Sequence, residues 1–224
     1  MRHLRPKLIA IDGPVGVGKS SVGSLLAKKL GYIFLDTGML YRAFTWKAIE
    51  LGISPQDEEA LCRLAEKTRF EFAPLGEGSL ALFIDGRDVS SRLFCSEVEE
   101  KVSLVARVAG VRQVIMREQR KLARKGDLIM AGRDIGTVVL PWAELKIFLI
   151  ASREERAKRR YKDLRARGKD LTLEQVLDEL KERDERDMNR PISPLKPAKD
   201  AIIIDTENLT LEQVVDEICS LIDE

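Results

Sequence analysis

Gly13-Pro14-Val15-Gly16-Val17-Gly18-Lys19-Ser20 is a complete G-x-x-x-x-G-K-[ST] phosphate loop, and both of its flanks suit one. Before it stands the apolar run Leu8 to Ile11; after it Val22, Leu25, Leu26 and Leu30 recur at helical spacing. Strand, glycine-rich loop and helix form the context in which this pattern reads as a polyphosphate site. Glycines at 13, 16 and 18 let consecutive backbone N–H groups turn inward around an anion, unobstructed by side chains, while the helix points its positive N-terminus at the same place. Lys19 then reaches the β- and γ-phosphates, and the Ser20 hydroxyl ligates the accompanying Mg²⁺. The nucleotide-binding candidates are therefore Gly13, Pro14, Val15, Gly16, Val17, Gly18, Lys19, Ser20 and Ser21.

Four more apolar segments share the composition of the first: Ile33 to Leu35, Leu128 to Ala131, Leu145 to Ile150 and Ala201 to Ile204. Their near-continuous hydrophobicity predicts strands buried on both faces. Helical patterns lie between them, so the chain reads as α/β: a P-loop NTPase with a five-stranded parallel sheet covered by helices on both faces. Residues 69 to 93 break the pattern. Phe70 and Phe72, then Leu80, Leu82 and Ile84, alternate with other residues, and Asp85-Gly86 signals a turn. A small antiparallel β insertion is expected, either a decorative excursion or a flap over a substrate.

Helix starts are legible as capping boxes. Thr172 with Gln175, Thr210 with Gln213 and Ser152 with Glu155 each set a hydroxyl three residues before a side chain that reaches back. Pro191, Pro194 and Pro197 keep the chain out of helix ahead of the last strand.

The 224 residues carry a formal charge of +1, which argues against wholesale nucleic-acid binding. The charge is uneven: residues 153–169 hold nine Lys or Arg against three acids, whereas residues 205–224 hold seven acids and no Lys or Arg. A local basic patch suits a polyphosphate. Cys62, Cys95 and Cys219 are too far apart for a zinc site and odd in number, so buried free thiols are expected. Met1 to Lys7 lead into a short apolar stretch with no secretory h-region, and no apolar run is long enough to cross a bilayer, which predicts a soluble, cytoplasmic protein. Nothing signals a dimer, and monomer is the default.

A phosphate loop alone leaves GTPases, ATP-driven machines and small-molecule kinases open. No Asn-Lys-x-Asp guanine reader is present, and a nucleic-acid motor would need more chain. Four features then converge: Ile11-Asp12-Gly13-Pro14; Asp36-Thr37-Gly38-Met39-Leu40-Tyr41-Arg42; Gly132-Arg133-Asp134-Ile135-Gly136-Thr137; and Glu182-Arg183-Asp184-Glu185-Arg186-Asp187-Met188-Asn189-Arg190. On a helix, Arg183, Asp187 and Arg190 share a face, where two guanidinium groups can hold an anion and the carboxylate can accept from sugar hydroxyls. Taken alone, that run also reads as a solvated ion-pair ladder. In order and spacing, with the β insertion, the four motifs resemble the bacterial cytidylate kinases, a family of nucleoside monophosphate kinases, from residue 8 to residue 205.

The resemblance implies one kinase domain, residues 1–224. Its core is 8–36 and 110–224 with a helical lid at about 153–170; residues 37–109 form the monophosphate-binding region with the insertion at about 69–93. It implies ATP as donor, with Mg²⁺, and CMP and dCMP as acceptors. Arg42, Arg183 and Arg190 would grip the acceptor phosphate, Asp187 the sugar and Tyr41 the nucleoside, with Thr37 also in the CMP site and Ser103, Arg112, Arg133 and Asp134 selecting cytosine. Lys19 and Arg133, with Arg153, Arg156 and Arg160 at i, i+3 and i+7 of the lid, would neutralise the transferring phosphoryl group. An acceptor phosphate is already anionic at neutral pH, so no general base is needed; the only histidine, His3, lies near the N-terminus.

One position departs from the family pattern. Ala131 stands where an acid commonly precedes Gly-Arg-Asp, and Asp12, Asp36 and Asp134 are the acids that can replace it near magnesium. The alternatives are another P-loop kinase with a different acceptor and an RNA-binding switch using residues 153–169.

Overall fold

A computed structural model describes residues 5–76 and 78–223; His3 lies outside the described residues. Five parallel strands form the main sheet: β1 (Leu8–Asp12), β2 (Ile33–Asp36), β6 (Leu128–Gly132), β7 (Leu145–Ile150) and β8 (Ile202–Asp205), in the order β2-β6-β1-β7-β8. Every expected strand is present. β1 sits at the centre, in register with β6 through Leu8↔Leu128 and with β7 through Ile9↔Leu145.

Alternation along each strand divides the core in two. Leu8, Ala10, Leu128 and Met130 face one side, where α2 (Thr37–Glu50) supplies Leu40 and Phe44 and α5 (Ala109–Ala123) supplies Val111 and Ile115. Ile9, Ile11, Ile129 and Ile147 face the other, against Val22 and Leu26 of α1 (Lys19–Leu30) and Val215 and Ile218 of α8 (Leu211–Asp223). Removing an aliphatic side chain of this size from water contributes about 1.5–3 kcal/mol, so a strand apolar at every position is stable only between two helical layers. β8 corrects the expectation for the fifth segment. Ile202 and Ile203 are 38% and 56% exposed and only Ile204 is buried, because β8 is an edge strand paired with β7 alone.

The antiparallel insertion is β3 (Phe70–Gly76), β4 (Ser79–Ile84) and β5 (Arg87–Asp88), preceded by α3 (Glu58–Lys67). Asp85 and Gly86 both take positive φ, 50° and 78°, as a two-residue hairpin turn with the sheet's own twist requires. The insertion docks sideways: Leu82 and Ile84 enter the α2 side of the core, and Gly78 accepts a hydrogen bond from the Phe34 amide at the outer edge of β2. Its described residues line no part of the cleft presented below. Beyond the insertion the chain returns to the cleft through Phe94 and α4 (Ser96–Val105).

Helices α6 (Arg153–Ala166) and α7 (Leu173–Met188) pack on each other through Ala157, Leu164, Val176 and Leu180, a small core of their own. The boxes at Thr172/Gln175 and Thr210/Gln213 close in both directions. At α6 only half a box forms. Ser152 accepts from the Glu155 amide, but its own N–H goes to Glu207, because Glu155 is drawn to Arg159. No disulfide joins the three cysteines among the described residues; Cys95 is exposed and Cys62 and Cys219 are half-buried, so the expectation of buried thiols fails. No helix among the described residues is long and apolar enough to cross a membrane.

Candidate active site

Loops at the carboxyl ends of β1, β2 and β6 open on one cleft of about 740 Å³, the edge at which open α/β sheets bind ligands. Val15, Gly16, Gly18, Lys19, Ser20 and Ser21 form its floor. Gly13, Pro14 and Val17 stand behind that floor, and Val17 belongs to the core. Gly13 is required by close approach: at φ 149° an added Cβ would lie 2.4 Å from the Leu149 carbonyl oxygen. Gly18 meets no such neighbour, and only its φ of 98° calls for glycine.

Lys19 folds back over the loop and donates to the Pro14 carbonyl at 2.6 Å. Burial, and then the Arg133 charge, holds its amine well below the ordinary lysine value against the pull of Asp36 and Asp12. Ser20 donates to Asp36 Oδ2 at 2.6 Å, and Asp36 Oδ1 caps α2 through the Gly38 amide at 2.9 Å. Of the three candidate acids, Asp36 alone touches Ser20. Asp12 is spent elsewhere, accepting from the amides of Ile135 and Gly136 at 2.8 and 2.7 Å at the head of a π-helical turn. Burial raises its carboxyl to about 6. Asp134 is paired with Arg112 at 2.5 Å.

All ten residues expected to hold the acceptor line this one cleft: Thr37, Tyr41, Arg42, Ser103, Arg112, Arg133, Asp134, Arg183, Asp187 and Arg190. They come from four helices, the turn after β6 and the segment just beyond α7. Arg190 corrects a detail, since α7 ends at Met188 and the guanidinium returns from beyond the helix end, 3.9 Å from Asp187. Arg133 donates to Asp187 at 2.9 Å. Burial works against the Asp187 carboxylate, yet Arg133, Arg190 and Arg183 hold it below the usual range.

One carboxylate serves a surplus of cations. Burial, with Arg133 and Arg42 alongside, pulls Arg183 down to about 9, and Arg42 Nε and Arg190 Nη2 are buried without a hydrogen-bond partner among the described residues. Such a cluster is stable only with an anion to share. Deeper in, the Arg112 guanidinium lies 5.6 Å from the Tyr41 ring centroid, and burial pushes the Tyr41 hydroxyl up to about 12, so it stays protonated. Ser103 accepts from Arg186 at 2.9 Å.

The lid arginines divide. Arg160 lines the cleft and pairs with Glu99 at 3.1 Å. Arg156 does not reach it: 5% exposed, it holds Asp184 through two bonds of 3.1 and 2.6 Å and donates to the Val15 carbonyl at 3.0 Å. Arg153 is directed toward the same Asp184 at 3.9 Å and lies outside the lining. Arg159 and Arg167 line the cleft instead. The basic run signalled both of them, whereas Phe94, also in the lining, sits in a turn without periodicity.

The cytidylate kinase family model matches residues 9–224. A cytidylate kinase of Ligilactobacillus salivarius is 48% identical over 216 residues, covering 96% of each chain; one of Pelotomaculum thermopropionicum is 49% identical over 207 residues, covering 92% of each. Among solved structures, a gluconokinase from Sinorhizobium meliloti superposes with a TM-score of 0.50 at 16% identity, covering all of this chain and 96% of its own, which shows the shared fold.

Proposed function

The chain belongs to the cytidylate kinase family, and from that membership we propose how its cleft works. The protein transfers the γ-phosphoryl group of ATP to CMP, giving ADP and CDP. The observation that carries the reading is the surplus of half-buried arginines around Asp187: in front of a phosphate loop Arg133, Arg183 and Arg190 share that carboxylate and Arg160 has Glu99, while Arg42 adds a further positive charge, an excess that calls for an anion. Two phosphate groups, one on each substrate, supply it.

Binding sets the geometry. Backbone amides of residues 15–20 and Lys19, released from the Pro14 carbonyl, take the donor's β- and γ-phosphates. Arg42, Arg183 and Arg190 hold the acceptor phosphate, and Asp187 accepts from a sugar hydroxyl. Asp134 accepts from the cytosine amino group while Arg112 and Ser103 donate to its ring acceptors. Uracil would set a carbonyl oxygen against the Asp134 carboxylate, which disfavours it. Phosphate and base contacts outnumber the sugar contact, so dCMP is accepted as well.

An oxygen of the CMP phosphate attacks the γ-phosphorus in line and ADP leaves. The nucleophile is already an anion, so catalysis is alignment plus charge neutralisation by Lys19, Arg133 and Arg160. Mg²⁺ fits the donors present, since the Ser20 hydroxyl and Asp36 carboxylate, 2.6 Å apart, are the hard oxygens it prefers. Ser20 would hold the ion and Asp36 would orient its water, in the place left by Ala131. When bound, the ion shields charge on the donor phosphates. The protein acts as a cytoplasmic monomer and needs no nucleic acid.

The test is coupled ADP release with Mg-ATP and each of CMP, dCMP, UMP, AMP, GMP and TMP, repeated with Arg183→Ala. CMP and dCMP should turn over, and loss of one charged hydrogen-bonding group should lower kcat/KM for CMP roughly 10- to 150-fold. Preference for another acceptor would discard the substrate assignment.

A further inference from the structure

The two walls of the cleft meet at a contact that neither phosphate nor base recognition requires. Phe94 follows a 3₁₀ turn at Ser90–Arg92 and precedes α4; the residue is 45% exposed and lines the cleft. The Arg42 guanidinium lies 5.3 Å from the ring centroid and that of Arg167 lies 4.9 Å from it. Arg42 belongs to α2 on the acceptor wall, and Arg167 follows α6 on the lid. Neighbouring residues repeat the crossing: Arg160 pairs with Glu99 of α4, and Lys169 donates to Ser96. Arg42 has little else to hold it, since its Nε has no hydrogen-bond partner among the described residues and its Nη1 reaches the Gly38 carbonyl only at 3.4 Å.

We infer that Phe94 is a positioning residue: its ring aims Arg42 at the acceptor phosphate and seats Arg167, so that gripping the acceptor and seating the lid become one event. The inference rests on the CMP kinase reading above. A guanidinium over an aromatic face is attracted by the ring's quadrupole, which fixes its plane while leaving the N–H groups directed at phosphate oxygens. A seated lid also excludes water. Without the seat, water competes with CMP for the γ-phosphoryl group, and ATP and water become ADP and inorganic phosphate.

The test compares Phe94→Leu, Phe94→Tyr and Arg167→Met with the parent, counting CDP and ADP separately and following thermal unfolding. Phe94→Leu should raise KM for CMP roughly 5- to 30-fold, leave KM for ATP nearly unchanged and yield less than one CDP per ADP. Phe94→Tyr keeps the ring and should keep both parental values. Arg167→Met, at an exposed lid position, should reproduce the lowered CDP yield and add nothing further to Phe94→Leu. Parental KM and yield in Phe94→Leu, or a Phe94→Tyr variant as impaired as Phe94→Leu, would overturn the inference. A parent that does not phosphorylate CMP defeats the substrate reading; an active parent with an unaltered Phe94→Leu variant defeats only the role of the ring.

Discussion

Replacing Arg156 by Met tests whether this α6 arginine is structural or acts on the phosphoryl group. Methionine keeps most of the buried stem and deletes the charge, leaving Asp184, itself 2% exposed, with Arg153 Nε at 3.9 Å as its one remaining ion-pair partner among the described residues. The bond to the Val15 carbonyl is lost as well. Removing one partner of a buried pair costs about 3–5 kcal/mol, and Arg153 nearby sets the expected loss at the lower end, about 3 kcal/mol. For a chain of this size each kcal/mol moves the melting temperature by roughly 2–4 °C, so the midpoint should fall by roughly 6–12 °C. The double variant Arg156→Met/Asp184→Leu should recover most of that loss, because an apolar pair of similar volume is often as stable as the ion pair it replaces. Calorimetric melts of parent and both variants measure this, with CMP kinetics recorded well below every midpoint. An arginine that touches the phosphoryl group would give the reverse pattern, an unchanged melt and a collapsed kcat that the double variant leaves collapsed. A midpoint for Arg156→Met within about 1 °C of the parent refutes the reasoning.

Two further outcomes follow from the acids around the phosphate loop. Burial lifts the Asp12 carboxyl from 3.8 to about 6 in the folded chain; between those values the folded state binds the extra proton, so stability falls as pH rises through that window, by about 3 kcal/mol in all. In Asp12→Asn that dependence disappears, so the difference in unfolding free energy between parent and variant should change by about 3 kcal/mol between roughly pH 4 and 7, as urea titrations measure; parallel pH profiles would show that the carboxyl is not raised. Asp36→Asn keeps an acceptor for the Gly38 amide but removes the charge beside Ser20. Half-saturation by Mg²⁺ should then rise roughly 10- to 100-fold, read from Mg²⁺ titration of the rate and from calorimetric Mg²⁺ binding to the nucleotide complex, and an unchanged value would remove Asp36 from the metal's surroundings.

The phosphate loop and the five strands were readable in the sequence because each is a local pattern: glycines and a lysine at fixed offsets, apolar runs of strand length. Of the residues expected to hold the acceptor, Thr37, Tyr41 and Arg42 stand just beyond a strand's carboxyl end and Arg183, Asp187 and Arg190 fall at one-face spacing, and a parallel sheet brings such strand ends to one edge; Ser103, Arg112, Arg133 and Asp134 were reached only through the family resemblance. The sequence therefore determined the fold class and the side of the sheet on which chemistry takes place. Tertiary structure decided which charges are free to act there. Spacing orients Arg153, Arg156 and Arg160 about the axis of α6, but it does not report that Asp184 of α7 and the Val15 carbonyl claim Arg156 while Arg160 faces the cleft. Nor does it tell that Asp36, among three candidate acids, touches Ser20, or that Phe94 meets arginines from both walls. A periodic pattern encodes a direction relative to its own element, whereas the strength of an ionic or aromatic contact depends on which other element lies opposite and how much water is left between them.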